Sequence, residues 1–253
     1  MKNFLSSCGT CAQERNSRER IYYLLRFLQK QQDFIYIENQ YFTSQTICDA
    51  LRQALCTKPD IQIIMLVNEN TDIVSYKTLQ NYLLGLIDLT HPRVGVFSLW
   101  KTEHSDGKTK IKPCYMHSKT AVMDDRWGTV GTANLDGISL EAFADVIMRK
   151  KPGRNIEINA VLLDGISCQP ETGNVEKMRR ALWAEHLGLE SAELTTMPPG
   201  GWLEIWRRTA SENIERLNNN QAMKGKILPY SPAVSPEEQL RSVGIDVGRL
   251  HVL

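Results

Sequence analysis

Ile21, Leu24, Leu25 and Leu28 fall at helical spacing and predict a helix from Ser17 to Gln31 with a basic opposite face. The apolar run from Phe34 to Ile37 predicts a buried strand, followed by the polar loop Glu38-Asn39-Gln40-Tyr41. Ser44 is placed to cap a helix whose apolar stripe is Ile47, Ala50, Leu51, Ala54 and Leu55. A strand at Ile61 to Val67, a helix over Val74 to Leu89 and a strand at Val94 to Leu99 extend the order to β-α-β-α-β. That order predicts an α/β fold with a parallel, helix-covered sheet, in which ligands gather at strand ends.

The pattern then changes. Lys101 to Lys112, with His104 and the lysines at 101, 108, 110 and 112, reads as a solvated polar loop. Residues 117 to 123 predict a strand that turns at Asp124-Asp125-Arg126-Trp127 and returns through Val130. Further strands are expected near Asp145 to Met148 and Ile156 to Leu163, then a helix from Asn174 to Leu187 closed by the C′ glycine Gly188. Pro198-Pro199-Gly200-Gly201 breaks the chain before a helix with Trp202, Ile205, Trp206, Thr209 and Leu217 on one side, a packing stripe. The domain reading is an N-terminal tail over 1–17, one lobe over 18–190, and a helical C-terminal extension and tail over 191–253.

Composition adds constraints. With 253 residues, 42% hydrophobic and 23% charged, the chain is ordinary globular protein. The formal net charge of +1 gives no global pull toward nucleic acid. No apolar run approaches the ~20 residues that span a bilayer, and the first residues lack a secretory apolar stretch, so the cytoplasm or a membrane surface is the expected setting. The six cysteines are scattered and read as free thiols, and Cys8-x-x-Cys11 lacks the second ligand pair of a zinc site.

Chemistry concentrates in one run: His117-x-Lys119, four residues, Asp124, six residues, then Gly131-Thr132-x-Asn134. At ordinary residue frequencies its chance occurrence is on the order of 1 in 10⁵, so coincidence is a poor account. A spacing of two puts His117 and Lys119 on one strand face. A two-residue hairpin loop at Asp125-Arg126 would set His117 opposite Asn134 and Lys119 opposite Thr132, with Gly131 allowing close backbone approach. An imidazole, an ammonium, a hydroxyl and a carboxamide together suit phosphate: His117 as nucleophile or general acid, Lys119 and Asn134 as partners for phosphoryl oxygens. These residue types require no metal or cofactor. Asp124 is counted with His117 and Lys119 in the catalytic signature but sits at the strand end, where holding the hairpin or a neighbouring cation suits it better than substrate contact. Asp145 is a candidate to accept the second imidazole N–H of His117.

The run matches the HxK(x)4D(x)6G[ST]xN signature of the phospholipase D superfamily, and the chain resembles the C-terminal half of a two-motif phospholipase D. Two flanking segments share the resemblance: Ile35-Tyr36-Ile37-Glu38-Asn39-Gln40-Tyr41-Phe42 is similar to the segment before the second motif, and Leu182-Trp183-Ala184-Glu185-His186-Leu187-Gly188 to the one after it. The resemblance brings Asn39 into the candidate substrate set and Glu38 into a supporting role. It implies a phospholipase D-like α/β/α sandwich and phosphodiester chemistry on phospholipids, hydrolysis or phosphatidyl transfer, in which one histidine becomes phosphohistidine and the other protonates the leaving alcohol. His117 would take the acid role first. The sequence Asn134-Leu-Asp136-Gly-Ile138-Ser139, with Phe143-Ala-Asp145 after it, lacks the arginine of the synthase-like branch and weighs against a cardiolipin synthase.

Only one copy of the motif is present, because none of His91, His104, His186 and His251 begins another. A second half-site must then come from a missing segment, from another subunit, or from a C2 homodimer. The flanking segments favour the first. The alternatives to a phospholipase half are a homodimeric phosphodiester nuclease, disfavoured by the near-neutral charge, and a non-catalytic half that binds phospholipid or a partner.

Overall fold

β1 (Phe34–Asn39), α1 (Gln45–Thr57), β2 (Gln62–Val67), α2 (Val74–Ile87) and β3 (Val94–Ser105) form two successive β-α-β units. β1 runs parallel to β2 from Phe34↔Gln62 to Asn39↔Val67, and β2 parallel to β3 from Ile63↔Val94. The structure, a computed structural model, describes residues 33–105, 107–136, 139, 157–164 and 173–253. The helix expected at Ser17 to Gln31 and the strand expected at Asp145 to Met148 lie outside them.

The local reasons match the pattern. Ser44 accepts a hydrogen bond from the Ile47 N–H, and Ile47, Cys48, Leu51, Ala54 and Leu55 are the buried stripe of α1. Gly188 ends α3 (Asn174–Leu187) in the left-handed region at φ 64°. α4 (Trp202–Asn218) follows the Pro-Pro-Gly-Gly break.

Alternation on the central strands sends side chains into two cores. Ile35, Ile37, Ile63 and Met65 meet Ile47, Leu51 and Leu83 of α1 and α2 on one face. Phe34, Tyr36, Ile64 and Leu66 meet Trp183 of α3 and Trp202 and Trp206 of α4 on the other. The result is an α/β/α sandwich. Trp183 sits 5.4 Å from both Tyr36 and Trp202, edge to face, and each such pair contributes about 0.5–1.5 kcal/mol beyond area burial.

Three expectations change. Lys101 to Lys112 is an antiparallel hairpin: β3 continues to Ser105 and pairs with β4 (Lys108–Pro113) from Trp100↔Pro113 to Ser105↔Lys108. The signal was the alternation Lys108-Thr109-Lys110-Ile111-Lys112, with Thr109 and Ile111 buried and Gly107 at φ 72° in the turn. His117 precedes its strand, because β5 is Lys119–Met123. The hairpin register is also one residue off: Met123 pairs with Trp127 and Thr120 with Val130 on β6 (Trp127–Gly131). The turn therefore holds Asp124, Asp125 and Arg126, with both aspartates left-handed at φ 49° and 53°, a conformation that short acidic side chains tolerate.

β7 (Asn159–Leu163) completes the order β7-β6-β5-β1-β2-β3-β4-β9, with β8 (Ile227–Pro229) paired to β3 and β9 (Leu250–Val252) to β4. The sheet is mixed, since β5 is antiparallel to β1. Beyond residue 190 the chain stays on it: α4 covers β2 and β3, and a third core gathers Trp100, Leu217, Leu228 and Leu240 of α5 (Pro236–Ser242). Among the described residues no helix is long and apolar enough to cross a membrane.

Candidate active site

The motif residues assemble where β1 ends and β5 begins. Lys119 pairs in register with Asn39, the last residue of β1, so the site lies at the carboxyl end of the parallel strands. Lys119 is buried; its Nζ donates to Gln40 Oε1 at 2.6 Å and to the His117 carbonyl at 2.9 Å. An ammonium has three donors, so one remains for a ligand among the described residues. Burial lowers the Lys119 pKa, and the nearby carboxylates of Glu157 and Asp136 oppose that.

His117 is exposed, and its imidazole makes no hydrogen bond among the described residues. The loop beneath it is fixed by Asn68, whose Nδ2 donates to the Met116 and Gln40 carbonyls at 2.8 and 3.2 Å while its Oδ1 accepts from the Met116 N–H. Ser118 and His186 reach the buried Glu38. Burial would raise the Glu38 pKa, but hydrogen bonds from His186, Tyr36 and Ser118 and the charge of His186 bring it below the usual carboxylate value. Glu38 thus supports the motif from the α3 side.

The Gly131 to Asn134 segment is drawn in by two asparagines. Asn39 Oδ1 accepts from the Leu135 N–H at 3.1 Å, and Asn159 Oδ1 accepts from the N–H groups of Thr132 and Ala133. A Cβ on Gly131 would overlap the Asn159 carboxamide and lie 2.6 Å from the Ile158 carbonyl, so only glycine fits. Thr132 donates its hydroxyl to Glu157, which also accepts from Ser139 at 2.9 Å. Asn134 Oδ1 is buried and has no hydrogen-bond partner among the described residues. Turning the amide over would aim its N–H groups at the same point.

Asp124 stands apart from this cluster. Five residues of extended chain separate it from Lys119, about 17 Å. Its Oδ1 accepts from the N–H groups of Asp33 and Phe34 at 3.1 and 2.8 Å, tying the turn to the start of β1. Next to it, Asp125 takes a bidentate contact from the buried Arg179 at 2.6 and 2.9 Å. Pairing ends at Thr120↔Val130, so the expected faces His117–Asn134 and Lys119–Thr132 are not ladder pairs.

Asp145 lies outside the described residues. A carboxylate found beside the motif is Glu157, which sequence reasoning missed because it fell within a stretch read only as a strand. Gln40, Asn68 and Asn159 were also missed. Gln40 stood within the quoted Ile35 to Phe42 segment, while Asn68 and Asn159 act through backbone contacts that no motif records. Among the described residues no group of three or more His, Cys, Asp and Glu is placed to hold a metal ion.

The model of a family described as "Cardiolipin synthase, PLD-like domain" matches residues 24–162, and one described as "Phospholipase D" matches 98–246. The chain belongs to the phospholipase D superfamily. Within that superfamily it is 25% identical over 264 residues to phospholipase D zeta 2 of Arabidopsis thaliana, covering 84% of this chain and 24% of that protein. It is 28% identical over 144 residues to cardiolipin synthase 2 of Staphylococcus epidermidis, covering 56% of this chain and 24% of that protein. The likeness therefore reaches both branches, despite the missing arginine. Among solved structures, NucT from Helicobacter pylori aligns with a TM-score of 0.42 and 18% identity, over 66% of this chain and 86% of that one. The chain spans about a quarter of the length of these two curated relatives.

Proposed function

We propose that this chain supplies one half-site of a histidine-based phosphodiesterase acting on phospholipid phosphodiesters, by hydrolysis or phosphatidyl transfer. The observation that carries the reading is the set of groups around His117 that no described residue occupies: an exposed imidazole, the third donor of Lys119 and the buried Asn134 carboxamide oxygen. An anionic phosphoryl group answers all three. Its oxygens accept from Lys119 and from the turned Asn134 amide, and low local dielectric strengthens both contacts as charge builds.

In the complete site one imidazole attacks phosphorus and displaces the head-group alcohol, which takes a proton from the other imidazole and leaves the phosphatidyl group on the first. Water or an acceptor alcohol then gives that proton back as it attacks the phosphohistidine. One chain offers one His117, so the second imidazole comes from another copy or from a preceding segment. Asp124 holds the hairpin, Asn39 the Asn134 segment, and Thr132 the Glu157 carboxylate.

The test is turnover of a short-chain phosphatidylcholine, with ethanol as acceptor, by the homodimer and by the chain joined to a partner half. His117→Ala should remove both hydrolysis and transfer. Absence of turnover in both arrangements would overturn the proposal, and metal-independent cleavage of DNA alone would move the substrate to nucleic acid.

A further inference from the structure

The two acceptors that hold Lys119 differ in kind. The His117 carbonyl belongs to the backbone, whereas Gln40 Oε1 is one end of an amide that can turn over and bring its N–H groups to the ammonium instead. Turned over, Gln40 would face Lys119 donor to donor. What keeps its oxygen forward lies on the far side of the amide: Gln40 Nε2 donates to the Tyr115 hydroxyl at 2.6 Å, and that hydroxyl donates to Asp72 Oδ2 at 2.6 Å. Tyr115 stands between β4 and β5, and Asp72 in the loop between β2 and α2.

Every donor in this relay points the same way. Lys119 donates to Gln40, Gln40 to Tyr115 and Tyr115 to Asp72, so a buried ammonium is joined to an exposed carboxylate through two neutral groups. An ionised carboxylate only accepts, and a tyrosine hydroxyl has one proton to give. With that proton committed to Asp72, the Tyr115 oxygen accepts an N–H from Gln40, which leaves the Gln40 oxygen for Lys119. Tyr41 reinforces the same end, its hydroxyl donating to Asp72 Oδ2 at 3.3 Å and lying 3.4 Å from the Tyr115 hydroxyl. Hydrogen bonds in such a series polarise and strengthen one another.

The inner half of the relay is held and the outer half is accessible. Gln40 is buried, and its backbone is pinned on both sides, the N–H to the Ser118 carbonyl at 3.1 Å and the carbonyl to Asn68 Nδ2 at 3.2 Å. Tyr115 is 48% exposed, and Asp72 is exposed. With its backbone fixed, Gln40 keeps the choice of which amide end faces Lys119, and Tyr115 decides it. The charges that act directly on Lys119 are those of Glu157 and Asp136, so Asp72 reaches the ammonium through the relay. Burial and the hydrogen bond to Asp72 raise the Tyr115 pKa, against the opposing contact from Gln40, as befits a hydroxyl that keeps its proton.

We propose that Asp72 and Tyr115 are positioning residues for Lys119: they fix the orientation of the Gln40 amide, and through it the direction of the third Lys119 N–H. Two committed N–H groups on a tetrahedral ammonium set where the third one points. That this N–H meets a phosphoryl oxygen rests on the half-site reading above; the relay that aims it does not. Neither Asp72 nor Tyr115 touches the phosphoryl group.

One test uses turnover and a second does not need it. In the chain joined to a partner half, Tyr115→Phe removes the hydroxyl and keeps the ring. Its kcat on a short-chain phosphatidylcholine should fall about tenfold with KM within about twofold, since the aimed N–H acts as charge builds in the transition state. Asp72→Ala should cost about as much, and Asp72→Asn, which keeps an accepting oxygen, only about threefold. The double variant should be no slower than Tyr115→Phe alone, because Asp72 acts through a hydroxyl that is already gone. The second test follows the Lys119 ammonium resonance of the full chain labelled with ¹⁵N-lysine, identified by its loss in Lys119→Met. It should titrate at lower pH in Tyr115→Phe and Asp72→Ala than in the parent, because the released amide no longer holds the charged form, while Glu157 and Asp136 act on it alike in all three.

Both single variants should fold like the parent, because the groups changed lie at the surface. The proposal is overturned if the two substitutions add in the double variant, which would make Asp72 and Tyr115 separate contributors. It is overturned as well if kcat stays at the parent value in both variants, if KM alone changes, or if the Lys119 midpoint does not move. Any of these results beside normal turnover of the parent leaves the half-site reading intact. A midpoint that moves as expected, with no turnover of the parent in any arrangement, keeps the relay and removes that reading.

Discussion

The two ends of the β5–β6 hairpin carry letters of one signature and treat them in opposite ways. At the open end, His117 has no partner among the described residues, Lys119 keeps a donor free and Asn134 has an orphaned oxygen. At the turn, Asp124 accepts two backbone N–H groups and Asp125 takes both arms of Arg179. Buried polar groups left unsatisfied are expensive, so the spare Lys119 donor and the Asn134 oxygen suit a position that a ligand completes, beside the exposed imidazole. On the proposed reading the contrast divides the signature, giving its histidine and lysine to chemistry and its aspartate to the fold.

The sharpest way to break this division is Lys119→Met. With the second half-site supplied, turnover should fall by about 10²–10³, the usual cost of a lost charge-stabilising donor. The melting temperature should hold or rise, because a buried ammonium is itself costly. A large drop in stability would make Lys119 a structural residue and erase the difference between the ends.

At the turn the expected effect is on folding. Arg179 is fully buried, lies 4.8 Å from the Trp183 ring and 4.3 Å from the Trp202 ring, and pairs with Asp125. Arg179→Met leaves the Asp125 carboxylate without its cation and should cost about 3–5 kcal/mol in denaturant unfolding. A loss below ~1 kcal/mol would show that the aromatic packing, not the ion pair, holds this end.

A third prediction concerns Glu69, a buried carboxyl just past the end of β2 near the open end. Burial lifts its pKa from 4.5 to about 7 in the folded chain. Because the folded value is the higher one, the neutral form is favoured by folding. Its stability contribution is full below about pH 4.5 and is lost as pH rises through about 7. The loss at pH 8 is on the order of 3 kcal/mol, and Glu69→Gln should flatten the profile by that amount in unfolding curves at several pH values. Parallel profiles for parent and variant would place the Glu69 carboxyl in the ordinary range.

Most of the frame was legible because its signals were local. The stripe of α1 and its Ser44 cap, the β-α-β-α-β order and the Gly188 stop each follow from a few neighbouring residues. The hairpin register was not, because it turns on whether Arg126 belongs to the loop, and two left-handed aspartates decide that through backbone conformation. The β3–β4 hairpin hid behind its lysines: charge drew the eye although Thr109 and Ile111 kept the two-residue period. Within the site, His117 and Lys119 announced themselves by spacing. Asn68 and Asn159 did not, since each works by bonding backbone far away in sequence, a placement only the folded chain creates.

Asp124→Ala should have the smallest effect and the most specific one. The substitution removes two hydrogen bonds to the N–H groups of Asp33 and Phe34 and puts a β-carbon without a polar end at φ 49°. Each N–H bond contributes about 0.5–1.5 kcal/mol, and the strain adds to it, giving a loss of roughly 1–3 kcal/mol. Asp124→Asn keeps the accepting oxygen and the tolerance for the left-handed region, so it should recover most of that loss. Specific activity per folded molecule should stay within about twofold in both variants, because some 17 Å of strand separates the turn from Lys119. A variant that folds like the parent yet loses turnover would return Asp124 to the chemistry, and the hairpin would then have two functional ends.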